Sequence, residues 1–269
     1  MSKHPLQLVI FDWAGTTIDF GSRAPMLSFT GVFAAHGVEV TPAEASAPMG
    51  LNKREHLIAM FSNPAVAARW QAQHSRSWNE QDVDTMYHEF MPLQMQNIQR
   101  NSALVPGLLE VVTNLRQRGL QIGATTGYFH EATHTIAALT KAAGFEPAAN
   151  VCADDVPQGR PAPWMIFRVM EQLGVYPPAA VVNVGDTIPD IKSGLAAGCW
   201  SIGVCDSSSM TGLSVQEFAE LPADERARRI AKTAEAFRAA GAHAVIETIA
   251  DLPDLLDRLE GKTLAAASV

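Results

Sequence analysis

Short apolar runs bounded by Gly, Asp or Pro recur along this chain, at residues 6–11, 120–125, 149–153, 180–184, 201–204 and 244–246. Runs that are apolar at successive rather than alternate positions predict strands buried on both faces, as in a parallel sheet. Amphipathic stretches of helical length separate the later runs, at 107–118, 131–143, 162–173, 188–197 and 224–240. Strand alternating with helix predicts a doubly wound α/β domain. The alternation fails between about residues 20 and 100, where no strand-like run occurs and helical patterns cover 25–35, 53–61, 64–74 and 80–99. The economical organisation is a core formed by residues 1–20 and 101–269, with a helical module, 21–100, inserted after the first strand. Such inserts close over the C-terminal ends of strands. Gly21-Ser22 and Asn101-Ser102 are the predicted hinges, and the small residues of 264–269 predict a frayed tail.

Composition narrows the partners. The chain of 269 residues carries 20 Lys and Arg against 28 Asp and Glu, a net charge of −8, which argues against nucleic acid or an anionic membrane. A phosphorylated small molecule would have to be attracted by local cations. No apolar stretch reaches transmembrane length and no long apolar leader precedes the first strand, so the cytoplasm is expected. Cys152, Cys199 and Cys205 are widely spaced in apolar contexts, which predicts buried, reduced thiols and no zinc site.

Four polar motifs punctuate the ends of predicted core strands. Asp12 ends the first and is followed by Ala14-Gly15-Thr16-Thr17, a turn whose amides can face an anion. Thr126-Gly127-Tyr128 follows the second, with a hydroxyl and a flexible backbone suited to phosphate oxygens. Arg160 is predicted to begin the next helix, with a fork of donors that matches phosphate geometry. Asp186 and Asp190, four residues apart at a strand-to-helix passage, can place one carboxylate on a hard divalent cation and a second in support. A turn-capping Asp, a helix-capping Thr, a solvated Arg and acids favoured by a helix dipole would each explain one motif alone. Their joint order favours phosphoryl transfer.

The motifs resemble those of haloacid dehalogenase-like (HAD) phosphotransferases, in which Asp12 would attack phosphorus and a second aspartate, at position 14, would protonate the leaving oxygen. Here position 14 is alanine. The segment Met49-Gly50-Leu51-Asn52-Lys53-Arg54-Glu55-His56 extends the resemblance over nearly the whole chain to one member family, the phosphonoacetaldehyde hydrolases (phosphonatases). That resemblance implies a Rossmann-like HAD core with an inserted helical cap, and a Schiff-base lysine at Lys53. It implies Mg²⁺ held by Asp12, Asp186 and the Ala14 carbonyl, with Asp190 behind them. Thr126, Gly127, Arg160, Met49 and Tyr128 would surround the substrate, and a homodimer would join through the cap, with Met26, Leu27, Phe29 and Phe33 as its candidate apolar face. His56, one turn from Lys53 on the same helical face, could relay protons.

Both anomalies fit one chemistry. Breaking a carbon–phosphorus bond expels carbon rather than oxygen, so an acid at position 14 has nothing to protonate, whereas an imine on Lys53 provides an electron sink. Lys53 must then be neutral, through burial or through cations such as Arg54 or His56. A phosphatase or phosphomutase acting on a small phosphate ester is the first alternative, and Ala14 argues against it. A catalytically silent phosphate-binding homologue is the second, and a silent protein needs neither Asp12 nor Lys53.

Overall fold

The computed structural model describes residues 5–267. Six parallel strands, β1 (Leu8–Asp12), β2 (Gln121–Thr126), β3 (Ala149–Cys152), β4 (Val181–Gly185), β5 (Trp200–Val204) and β6 (Ala244–Ile246), form one sheet in the order β3-β2-β1-β4-β5-β6. β1 is buried at every position, as its unbroken apolar run predicts, because helices cover both faces of the sheet. The chain builds outward from β1 to β3, then crosses back to place β4 on β1's other side. That reversal opens a crevice at the C-terminal ends of β1 and β4, the usual ligand position in sheets of this kind.

Between β1 and β2 the described elements are all helices, and the first five form the inserted layer: α1 (Arg23–Ala35), α2 (Pro42–Ser46), α3 (Lys53–Phe61), α4 (Pro64–His74) and α5 (Glu80–Asn101). α1 packs along α5, and Phe29 stacks on Phe90 with ring centroids 4.4 Å apart. The remaining helices are α6 (Leu108–Gln117), α7 (His130–Ala142), α8 (Trp164–Leu173), α9 (Ile188–Ala197), α10 (Val215–Glu220), α11 (Ala223–Ala239) and α12 (Leu252–Ala267).

Several expectations need correction. Asn101 is no hinge, because α5 runs through it and its amide donates to the Asn97 carbonyl at 2.8 Å. Arg160 does not begin a helix: α8 starts at Trp164, leaving the Arg160 backbone in a loop. α2, α10 and α12 escaped the periodicity, the first two because five or six residues carry too little pattern. The tail expected to fray is helical through Ala267, and residues 268–269 lie outside the described residues. Of the four α1 residues expected to form an apolar dimer face, Met26, Phe29 and Phe33 are buried and Leu27 is exposed. The three cysteines are free and buried, as predicted.

Candidate active site

The crevice is assembled from the turn after each central strand. The 13–18 turn closes on the Trp13 carbonyl, which accepts from the amides of Thr16, Thr17 and Ile18 at 3.2, 2.8 and 3.0 Å. Gly15 sits in this turn at φ +88°, and a Cβ there would lie 2.4 Å from Asp186 Oδ2. Glycine is therefore what lets the β1 turn and the β4 carboxylate share one space. The Ala14 carbonyl accepts from Ser22 Oγ at 2.8 Å, tying this turn to the start of the helical layer.

Asp12, Asp186 and Asp190 converge, with one oxygen from each lying within 4.8 Å of the others, and all three are buried. Asp190 was expected one layer behind, yet it reaches the same point because α9 begins immediately after β4. Thr187 caps that helix and holds the Asp190 carboxylate in a capping box. Burial, compounded by Asp12 and Asp190, pushes the Asp186 carboxyl well above its ordinary pKa. Burial likewise raises Asp190 to about 7, against the opposing pull of Arg160.

Arg160 is buried between these groups. Its Nη1 lies 2.7 Å from Asp12 Oδ1 and 2.7 Å from Asp190 Oδ1, while Nη2 donates to the Thr125 carbonyl and hydroxyl at 3.0 and 2.7 Å. One guanidinium thus orients both carboxylates. Thr126 Oγ1 accepts from the Tyr128 amide at 3.2 Å, which leaves its hydroxyl hydrogen available to a ligand.

The helical layer contributes the amine. Asn52 caps α3 by accepting from the Glu55 amide at 2.9 Å, so Lys53 occupies the first helical position and its side chain enters the crevice. Lys53 Nζ stands 4.7 Å from the Tyr128 ring centroid and 6.0 Å from that of Phe29. Burial lowers its pKa to about 8, with Asp12 opposing and Arg160 adding to the shift. Arg54 plays no part, since it points away into ion pairs with Glu80 and Asp84 at 2.6 and 2.8 Å. His56 is buried with its ring stacked on Phe29 at 3.7 Å, and its Nε2 meets the Ala45 carbonyl at 2.8 Å. Burial and then Lys53 hold its pKa well below the usual value, so it is a neutral ring carrying its hydrogen on Nε2.

The layer seats through two glycines. A Cβ on Gly127 would lie 2.8 Å from the Leu51 carbonyl, and one on Gly50, at φ +95°, would lie 2.3 Å from Thr187 Oγ1. The 49–51 loop is thereby clasped between the turns after β2 and β4. Asp12, Ala14, Met49, Lys53, Thr126, Gly127, Tyr128, Arg160 and Asp186 all line one small cavity, and His56 does not.

The haloacid dehalogenase-like hydrolase family model matches residues 6–198. The phosphonoacetaldehyde hydrolase of Hahella chejuensis is 41% identical over 258 residues, 96% of this chain and 88% of that protein. The chain belongs to the phosphonoacetaldehyde hydrolase family. The Bacillus cytotoxicus phosphonoacetaldehyde hydrolase is also 41% identical, over 95% of this chain and 97% of that one. A phosphonoacetaldehyde hydrolase-like protein from Oleispira antarctica superposes with a TM-score of 0.95 at 37% identity, covering 97% of this chain and 95% of that one. A β-phosphoglucomutase from Clostridium difficile, 15% identical at a TM-score of 0.66, shares the fold alone.

Within this phosphonatase site, sequence reasoning passed over Asp19 and Gln94 and read Ser22 only as a hinge. Asp19, at φ +51°, accepts from the Arg23 and Ala24 amides at 2.9 and 2.8 Å, anchoring α1, and burial raises its pKa to about 7. The acid four residues before Arg23 was the available signal. For Gln94 there was none, because only tertiary packing encloses it.

Proposed function

We propose that this chain hydrolyses phosphonoacetaldehyde to acetaldehyde and phosphate in the breakdown of 2-aminoethylphosphonate, with residues 21–100 serving as a cap over a core of 1–20 and 101–269. The observation that carries the reading is the buried Lys53 amine in one cavity with Asp12, combined with alanine at position 14. The lowered Lys53 pKa leaves a substantial neutral fraction near pH 8, as attack on an aldehyde requires. Lys53 adds to the aldehyde carbon and water leaves, giving a protonated imine. The Asp12 carboxylate then attacks phosphorus, the carbon–phosphorus bond breaks, and its electrons pass into the imine to form a neutral enamine. Protonation at carbon and hydrolysis release acetaldehyde and restore Lys53, while water cleaves the aspartyl phosphate. Thr126 and the Gly127 backbone hold phosphoryl oxygens, Met49 and Tyr128 enclose the two-carbon unit, and Arg160 keeps Asp12 aligned and offsets developing charge.

The donor set fits a hard divalent cation. Three buried carboxylates within 4.8 Å of one another face one guanidinium, and burial, with Asp12 beside them, raises the pKa of both Asp186 and Asp190. Asp12, Asp186 and the Ala14 carbonyl would hold Mg²⁺, supported by Asp190. Bound there, Mg²⁺ supplies charge stabilisation to the transferring phosphoryl group.

A proton-relay role for His56 would run through its buried Nδ1, which has no partner, and would have to reach Lys53 from outside the cavity. The resemblance further implies a cytoplasmic homodimer. Among the α1 residues considered for that contact only Leu27 is exposed, so the interface would centre on Leu27 and its surface neighbours, and light scattering on the purified protein tests it. The deciding assay for the activity compares phosphate release from phosphonoacetaldehyde with release from simple phosphate esters. Preference for an ester would overturn the reading.

A further inference from the structure

Serine in a loop ordinarily faces water, where its hydroxyl finds partners at no cost. The loop that follows β5 is different, for Ser207, Ser208 and Ser209 are all buried, the first two completely. A hydroxyl taken out of water needs a partner inside the protein, and this loop finds its partners at the carboxylate crevice. Ser207 Oγ donates to the Gly15 carbonyl at 2.6 Å, one residue along the turn from the Ala14 carbonyl. Ser208 Oγ donates to the Asp186 carbonyl at 2.7 Å and accepts from the Met210 amide at 3.1 Å. The Ser209 amide donates to Asp186 Oδ2 at 2.8 Å. The loop is itself braced, since the Ser208 carbonyl accepts from the Thr211 amide at 2.9 Å and the Ser207 carbonyl from the Gly21 amide at 2.8 Å.

The three carboxylates are thus supported in two ways. Arg160 holds Asp12 and Asp190 with a full positive charge. Asp186 is held by neutral donors, the Ser209 amide and, at 3.5 Å, the Thr16 hydroxyl. Neutral donors orient a carboxylate without cancelling its charge, which is then left for a cation to meet. We infer that Ser207 and Ser208 are positioning residues of the cation site: Ser207 fixes the turn that carries the Ala14 carbonyl, and Ser208 fixes Asp186 by its carbonyl while setting the Ser209 amide against its carboxylate. The inference rests on the reading above of Asp186 and the Ala14 carbonyl as Mg²⁺ ligands.

The test measures Mg²⁺ binding by titration calorimetry on the full-length protein without substrate, in wild type, Ser207→Ala, Ser208→Ala and Ser28→Ala. Ser28 is a buried serine whose hydroxyl donates to the Ala24 carbonyl of its own helix at 2.7 Å, so its removal controls for the general cost of losing such a group. Ser207→Ala and Ser208→Ala should each weaken Mg²⁺ binding about tenfold and raise the Mg²⁺ concentration for half-maximal activity by a similar factor, with kcat at saturating Mg²⁺ within about twofold of wild type. Ser28→Ala should bind Mg²⁺ as wild type does, whatever its Tm. Wild-type Mg²⁺ affinity in either folded variant, Ser207→Ala or Ser208→Ala, would overturn the inference, as would an equal loss in Ser28→Ala. Should either alanine variant fail to fold, cysteine at the same position, of similar volume and a weaker donor, carries the same comparison. A wild-type protein that binds no Mg²⁺ would instead overturn the metal assignment, and this inference with it.

Discussion

In the proposed mechanism, alanine at position 14 decides what Asp12 can expel. An aspartate there would place a fourth carboxylate beside Asp12, Asp186 and Asp190, in a site already so negative that burial and mutual repulsion keep Asp186 protonated well above the usual range. Ala14→Asp is therefore expected to impair carbon–phosphorus cleavage by about tenfold or more, and turnover of phosphonoacetaldehyde at the wild-type rate would refute this view of position 14. Lys53→Arg keeps a cation but cannot form an imine, so it should lose activity almost as fully as Lys53→Ala, on the order of a thousandfold. Peptide mapping after borohydride treatment should find the adduct on Lys53, and an adduct confined to another lysine would defeat the assignment. Asp12→Asn should release no phosphate above background while remaining folded by circular dichroism. Asp12 and position 14 were legible because motif order and strand ends fix their positions, and Lys53 only through the family resemblance of the 49–56 segment. Gln94 was not, since a glutamine among apolar helix residues becomes informative only when packing encloses it.

At the scale of elements, the six strands were legible because a sheet covered on both faces demands unbroken apolar runs. The short helices and the true start of α8 were not, because capping and tertiary contact decide them. The clasp of the 49–51 loop also lay beyond pattern, for Gly50 and Gly127 are separated by most of the helical layer and a core helix. Gly127→Ala would push its methyl into the Leu51 carbonyl, 2.8 Å away. The layer should then seat about an ångström out of place, lowering kcat/KM by about a hundredfold while Tm changes little. Unchanged kcat/KM in a folded variant would show that the loop has slack that the structure does not suggest.

The whole molecule answers to pH through groups on both layers. Lys53 titrates near 8 and reacts as the neutral amine, so the rate of imine formation should climb as pH rises through about 8 and level off above. Stability should run the other way. Asp190 titrates near 7 and burial raises Asp186 well above its ordinary value, whereas both release protons near 3.8 when unfolded. Between those values the folded chain binds more protons than the unfolded one, so their contribution to stability is present at low pH and declines as pH rises toward 7. Mg²⁺ competes with the same protons, and its effect on Tm should be larger at about pH 8 than at about pH 5.5. Scanning calorimetry at both values checks the order, and an equal Mg²⁺ effect at the two would separate these carboxylates from the metal.

The clasp formed by Gly50 and Gly127 has a further consequence. In the proposed mechanism the nucleophile belongs to the sheet and the amine to the helical layer, so neither half would carry out the reaction by itself. A phosphate ester that drifts onto the sheet finds Asp12 but no acid for its oxygen, and an unrelated aldehyde that meets Lys53 finds no phosphorus within reach of the carboxylate. On that mechanism the enzyme would behave as a lock with two keyholes, turned only by a molecule short enough to fill both at once. Discrimination against phosphate esters would then arise from the division of labour between two layers, with no need of a pocket shaped to exclude them.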